Sequence, residues 1–224
     1  MSQFADLLTF VIPVAIGSAI SPTLLITTTG LLSQQNRPRA KAMSFFVGAV
    51  VSLVVWILIV YSFVWAIVKA AVLDAESHIS IIDAAGGVLL LAAAAYLFVN
   101  RSKPALLAKQ SKGDEEQHLW HIAALGAVMQ GRDFTSIVLF ISALQHIATS
   151  SVYWLIKLAV LAGLVAITTV FMWLPLVAHV TIPHSFMRKA KPLTNWLRKN
   201  ARMISMYVCL VFGIYLLVRG VVFE

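Results

Sequence analysis

Apolar runs dominate the chain, at roughly 7-31, 43-70, 79-100, 120-147, 152-179 and 202-223, with short polar segments between them. A helix crossing the hydrocarbon core of a bilayer needs about 20 apolar residues, and each run reaches that length. The pattern predicts six transmembrane helices and an all-α integral membrane protein. The connections are Gln34-Gln35-Asn36-Arg37-Pro38-Arg39-Ala40-Lys41, the acidic stretch Asp74-Ala75-Glu76, a mixed linker from Arg101 through Lys112 to His118, a tight turn near Gln145-His146, and a long basic segment. The first run follows Met1-Ser2-Gln3-Phe4-Ala5-Asp6, has no basic residue ahead of it and outlasts a signal-peptide core, so it reads as a retained span.

Laying the first run over the fourth aligns Ile16-Gly17-Ser18-Ala19-Ile20-Ser21-Pro22-Thr23 with Leu125-Gly126-Ala127-Val128-Met129-Gln130-Gly131-Arg132. In each, a glycine precedes a helix breaker by five residues, Pro22 in one and Gly131 in the other. Hydroxyl-bearing helix follows, Thr27-Thr28-Thr29 and Thr135-Ser136. The third linker divides the chain into a first three-helix repeat with that linker, 1-112, and a second, 113-224, which carries an amphipathic segment at 183-201. Three spans per half make the second half enter the membrane from the opposite side, which is the inverted-repeat plan of many secondary transporters. The plan places a substrate where the broken first and fourth helices meet.

The residues at those breaks carry the candidate chemistry. Pro22 has no amide proton and clashes with the carbonyl four residues earlier, so the first helix should open around Ser18 to Ser21. The freed carbonyls must find side chains, water or a ligand, because lipid offers no hydrogen bonds. Ser21 and Thr23 are suitable neighbours, and a plain structural kink capped by serine hydroxyls is the competing reading. Gln130-Gly131-Arg132-Asp133 falls in the middle of an apolar run. A midplane arginine costs at least about 2.5 kcal/mol to insert, so it faces a cavity or a partner. Arg132 supplies a planar fork suited to a phosphate or carboxylate, Asp133 a proton carrier, and Gln130 further hydrogen bonds. The alternative is that Arg132 pairs with Asp133 or bonds the carbonyls loosened by Pro22. Lys157, in the first turns of the fifth span, reads as snorkelling to the interface. Trp56, Trp65, Trp120, Trp154 and Trp173 read as interface anchors and packing.

Composition narrows the class. The chain of 224 residues is 60% hydrophobic and 12% charged, against roughly a quarter charged in soluble domains. Its net charge of +8 would suggest nucleic acid on a soluble chain, but the bases collect between the apolar runs, and no groove of interleaved aromatic and basic residues is evident. Arg37, Arg39 and Lys41 occupy the first loop, Arg101, Lys103, Lys109 and Lys112 the third, and Arg188, Lys189, Lys191, Arg198, Lys199 and Arg202 the fifth. Basic loops lie in the cytoplasm, so both termini are expected outside. The segment 183-201 suits a helix lying on anionic headgroups. A single cysteine, Cys209, excludes an intramolecular disulfide and any CxxC site. His118 and His121 beside Glu115 and Glu116 have metal-like spacing, yet they sit in a polar linker without further ligands. No metal, no cofactor and no enzymatic activity are expected.

Several of these stretches resemble the GAP (Sap, peptidoglycolipid addressing protein) family of the LysE transporter superfamily. They are Ala15-Ile16-Gly17-Ser18-Ala19-Ile20-Ser21-Pro22, Asn36-Arg37-Pro38-Arg39 with Phe45-Phe46-Val47-Gly48, Leu174-Pro175-Leu176, and Phe212-Gly213-Ile214-Tyr215-Leu216-Leu217-Val218-Arg219-Gly220. Where members of the family often carry Asn-Pro-Lys-Asn, this chain has Gln130-Gly131-Arg132-Asp133, which keeps the basic position. The resemblance implies a six-span exporter of amphipathic lipids or small polar solutes. The superfamily branch that carries electrons through paired membrane cysteines is excluded by the lone Cys209. The combined expectation is an inner-membrane transporter that exports or flips an anionic amphiphile, with Arg132, Asp133, Gln130, Gly131, Ser21, Pro22 and Thr23 at the substrate site. Membrane lipids are the expected partners and a homodimer the default assembly. An exporter of amino acids or metal cations, and a non-transporting scaffold working through the basic fifth loop, are the alternatives.

Overall fold

A computed structural model describes residues 2–70, 75–99, 118–181 and 183–222, with side chains for all of these except 2–3, 63–70, 75–82, 183–191 and 221–222. Every regular element among the described residues is an α-helix. The first apolar run forms α1 (Ser2–Ala19) and α2 (Pro22–Leu32), bent by 53° at the break between them. The second and third runs form the unbroken helices α3 (Pro38–Ala70) and α4 (Ala75–Val99). The fourth forms α5 (Leu119–Arg132) and α6 (Phe134–Thr149), bent by 74°. The fifth forms α7 (Trp154–Thr168) and α8 (Val170–Thr181), bent by 69°, and the last lies within α9 (Pro183–Val222).

By length and composition, Pro38–Ser62 and Pro192–Gly220 can each cross a membrane alone. The bent pairs raise the number of spans to five if each pair is one span, and Asp83–Val99 is a shorter apolar helix. Large apolar side chains such as Leu58, Val88, Leu174 and Val211 project from the bundle surface. Water would penalise that surface and hydrocarbon does not, so the molecule is an all-helical membrane protein.

The closest helix pairings all join the first half of the chain to the second: α4 lies along α9, α3 along α5, and α1 against α6. Glycine makes the α3–α5 approach possible. A Cβ on Gly48 would meet the Ala123 backbone and a Cβ on Gly126 the Phe45 backbone, so the two helices touch main chain to main chain. Small residues at a crossing are how membrane helices gain packing when lipid removes the hydrophobic drive between them. Two apolar clusters fill the interior. One gathers Phe10, Val14, Leu53, Leu90, Phe140, Leu144 and their neighbours; the other gathers Leu24, Leu32, Phe45, Ile122 and Met172. The helix breaks lie between them.

Four expectations are corrected. The fifth span is broken as well as the first and fourth. No proline or glycine marks that break: Ile167-Thr168-Thr169-Val170 is a run of β-branched residues that weakens the helix, and the Thr169 hydroxyl takes the Val165 carbonyl at 2.8 Å. The breaker in the fourth span is Asp133, because α5 continues through Gly131 and Arg132. The turn placed near Gln145-His146 lies further on, at Ser150–Tyr153, and both Gln145 and His146 are inside α6. The segment 183-201 is not a separate helix but the start of α9, continuous with the last span through Pro192. The mixed linker with Arg101, Lys103, Lys109, Lys112, Glu115 and Glu116, and Asp74 of the acidic loop, lie outside the described residues.

Candidate functional site

Pro22 sets the first break. It is the first residue of α2, with Ser21 as the N-cap in extended backbone (φ −122°, ψ 95°). An amide at position 22 would have donated to the Ser18 carbonyl, and proline leaves that acceptor vacant. Ser136 of α6 fills the vacancy: its hydroxyl donates to Ser18 O at 2.7 Å. The Ser136 hydroxyl oxygen in turn accepts from Gln130 Nε2 at 3.4 Å. Gln130 is fully buried, and its Oε1 has no hydrogen-bond partner among the described residues.

Asp133 sets the second break by capping α6, its carboxylate accepting from Ser136 N at 3.3 Å. The Ser21 hydroxyl also bonds this carboxylate, while accepting from Leu24 N at 3.5 Å. The caps of α2 and α6 therefore touch each other. Two helix N-termini, each carrying about half a positive charge, converge on one carboxylate. The third break joins through Ser18, whose hydroxyl donates to Ala15 O at 2.8 Å and meets Thr168 Oγ1 at 2.8 Å. With the Ser18 proton committed, Thr168 is the donor. Ser18, Ser21, Gln130, Asp133, Ser136 and Thr168 thus form one polar node between the two apolar clusters, tying three broken helices together.

An apolar groove of about 470 Å³ runs between α1 and α7. Leu8, Val11, Ala15, Leu155, Gly163 and Ile167 are among its walls, and every lining residue is apolar. A Cβ on Gly163 would meet nothing within 4 Å, so that glycine leaves open space. From Phe4 to Ala15 the groove follows 12 residues of helix, about 16 Å from the first to the last. Its deep end, at Ala15 and Ile167, abuts Ser18 and Thr168 of the node.

Of the residues picked from sequence, Ser21, Gln130 and Asp133 stand in the node, Pro22 is buried at the head of α2, and Thr23 is half-buried in its first turn. Gly131 and Arg132 are exposed, on a different side of α5 from the buried Gln130. Successive residues point about 100° apart, which separates their directions. Arg132 sits in the last turn of α5, where a cation complements the negative helix end. The carbonyl loosened by Pro22 is taken by Ser136 rather than by Arg132. Ser18, Ser136 and Thr168 were outside the sequence-derived set; a hydroxyl at a break or within one turn of it is the signal that identifies them.

Other picks settle into structural places. Lys157 Nζ donates to Ala148 O at 2.9 Å, capping the end of α6. Trp120 and Trp154 are exposed near helix starts, as interface anchors would be. Trp173 instead donates Nε1–H to Ala166 O at 2.9 Å, capping the carbonyl freed at the third break. The His118 and His121 ring centroids are 5.9 Å apart, and no group of three metal-binding side chains occurs among the described residues.

Compared with known proteins, residues 11–222 match the family model described as Sap, sulfolipid-1-addressing protein. No curated protein and no solved structure matches the chain.

Proposed function

The chain belongs to the Sap, sulfolipid-1-addressing protein, family, and on that premise we propose that it is a secondary transporter exporting or flipping an anionic amphiphile across the inner membrane. The observation that carries this reading is the continuity of the apolar groove between α1 and α7 with the polar node at its deep end. An amphiphile needs both: an alkyl chain takes the groove, and a polar head is handed to the breaks. The family name makes a sulfated lipid one member of the class, alongside lipids bearing a phosphate or carboxylate.

In this reading Arg132, exposed at the level of the second break, receives the anionic head where bilayer and bundle meet, because a charge at that depth has to face a polar group or a wet crevice. Ser21, Pro22 and Thr23 supply the opposing half of the site, Gln130 adds hydrogen bonds from the node, and Gly131 leaves space beside Arg132. The Asp133 carboxylate, bonded to Ser21, competes with the head for the two helix N-termini, and a proton taken up by Asp133 removes that competition. The basic face, with Arg37, Arg39, Lys41 and the start of α9, lies in the cytoplasm. The halves rock about the node and present it to each side in turn.

The test is flux of a fluorescent anionic lipid in proteoliposomes under an imposed pH gradient, comparing wild type with Arg132→Gln after a folding check on both. Loss of protein-dependent flux in the folded variant supports an anion site at the second break. Equal flux retires Arg132 as a ligand. A second reading, export of a small cation, is favoured by the buried Gln130 Oε1, which has no hydrogen-bond partner among the described residues and belongs to the same node as the Asp133 carboxylate, and by Arg132 lying away from the node. Absence of lipid flux in both proteins moves the assignment there.

A further inference from the structure

A second buried polar cluster lies nearer the face where α1 begins and α9 ends. Asp83 of α4 is 2% exposed, at the head of the apolar stretch Asp83–Val99. Its Oδ1 accepts from Ser142 Oγ at 2.6 Å, and its Oδ2 lies 2.8 Å from Nε2 of His146, both on α6. The Phe10 ring of α1 packs against the His146 ring with centroids 3.9 Å apart. The guanidinium of Arg219 on α9 stands 3.8 Å from the Phe10 centroid, and Tyr215 stacks on Phe10 at 6.1 Å. The cluster therefore joins α1 and α4 of the first half to α6 and α9 of the second. Nothing in the node or the groove uses it.

A carboxylate buried in a membrane helix is costly unless it is paired, and paired carboxylate–imidazole groups are where membrane proteins hold exchangeable protons. Around the pair, among the described residues, the charged and titratable groups are Arg219 and Tyr215 on α9, Tyr61 of α3 at the edge of the same cluster, and Lys157 of α7 on the Ala148 carbonyl, with the neutral Ser142 hydroxyl on α6. From α1 the neighbour is the uncharged Phe10, with Asp6 exposed one turn earlier.

We propose that Asp83, His146 and Ser142 form a proton-binding site that latches the two halves together at this face. In the latched form the imidazolium carries the proton and the carboxylate none. An arriving proton adds to an Asp83 carboxylate oxygen and nothing leaves, so the charge of the pair rises from zero to +1 close to the Arg219 guanidinium. Attraction between α4 and α6 is replaced by an imidazolium without a counter-ion, packed on the Phe10 ring that also carries the Arg219 guanidinium, and the face loosens. The site is distinct from the node and does not depend on which solute is carried.

The test uses the full chain in lipid vesicles. Among the carboxylic-acid carbonyl bands that titrate in infrared pH-difference spectra, one should persist in Asp133→Asn and vanish in Asp83→Asn. In a Cys209→Ser background, spin labels on Val88→Cys and Ser151→Cys should move apart on acidification, and should stand at the longer distance at both pH values when Asp83→Asn is added. His146→Gln keeps a hydrogen-bonding group but removes the cation, so the band should titrate at least tenfold in proton concentration nearer neutrality; this variant carries the test if Asp83→Asn does not fold. Survival of every titrating band in Asp83→Asn, or an unmoved midpoint in His146→Gln, overturns the proton site. A label distance indifferent to pH overturns the latch.

Discussion

Replacing Gly48 or Gly126 by alanine adds one methyl group where α3 and α5 have no room for it. On Gly48 the new carbon would lie 2.6 Å from the Ala123 carbonyl carbon and closer still to its oxygen; on Gly126 it would lie 2.9 Å from the Phe45 carbonyl carbon. Carbon atoms pack best at about 3.5–4.0 Å, so the helices must separate by roughly 1 Å at the crossing. The obstacles are backbone atoms, which have no rotamer to change, and this places the cost toward the upper part of the ~1–3 kcal/mol typical of overpacking. At about 2 kcal/mol the folded-to-unfolded ratio falls roughly 30-fold. Once one methyl has separated the helices the second meets less resistance, so the double variant should cost less than the sum of the singles, with a coupling of at least about 0.5 kcal/mol. The measurement is reversible unfolding of the purified protein in mixed micelles, titrated with a denaturing detergent. Single variants within about 0.5 kcal/mol of wild type, or a strictly additive double, would refute the claim that backbone contact sets this crossing.

Asp133 separates two roles in one side chain. Asp133→Asn retains an oxygen for the α6 cap and should stay near wild-type stability, whereas Asp133→Ala should lose about 1 kcal/mol of cap; both should abolish flux driven by a pH gradient in the proteoliposome assay. Ser136→Ala removes the donor on Ser18 O and the acceptor of Gln130 Nε2, so detergent unfolding should show a loss of about 1–3 kcal/mol for the orphaned carbonyl. Lys157→Met keeps the stem but not the donor to Ala148 O; it should cost under about 1 kcal/mol in the same titration and leave lipid flux unchanged.

The helices were legible because lipid leaves the backbone few alternatives: a long apolar run must satisfy its own amides, and a helix does so locally. Pro22 announced the first break by the same local logic. The polar quartet at 130–133 located the second, but a glycine is only permissive, and the carboxylate that accepts from Ser136 N decided where the helix ends. The third break had only β-branched residues to mark it, a preference that packing can override. The rest depended on distance along the chain. Ser18 and Thr168 are 150 positions apart and Asp83 and His146 are 63 apart, and no local pattern pairs them. Asp83 could still have been singled out, as a lone carboxylate in the run Ile81-Ile82-Asp83-Ala84-Ala85-Gly86-Gly87.

The third break also makes the two halves mechanically unequal. In the first half the helix that follows the broken span is α3, 33 residues without interruption; in the second it is α7 and α8, with a 69° corner. A continuous helix resists bending through every one of its backbone hydrogen bonds, whereas a corner held by Thr169 and Trp173 yields by rotation about a few dihedrals. Strain applied to the bundle therefore accumulates in the second half. Motions that would be interchangeable in a symmetric pair differ here in stiffness.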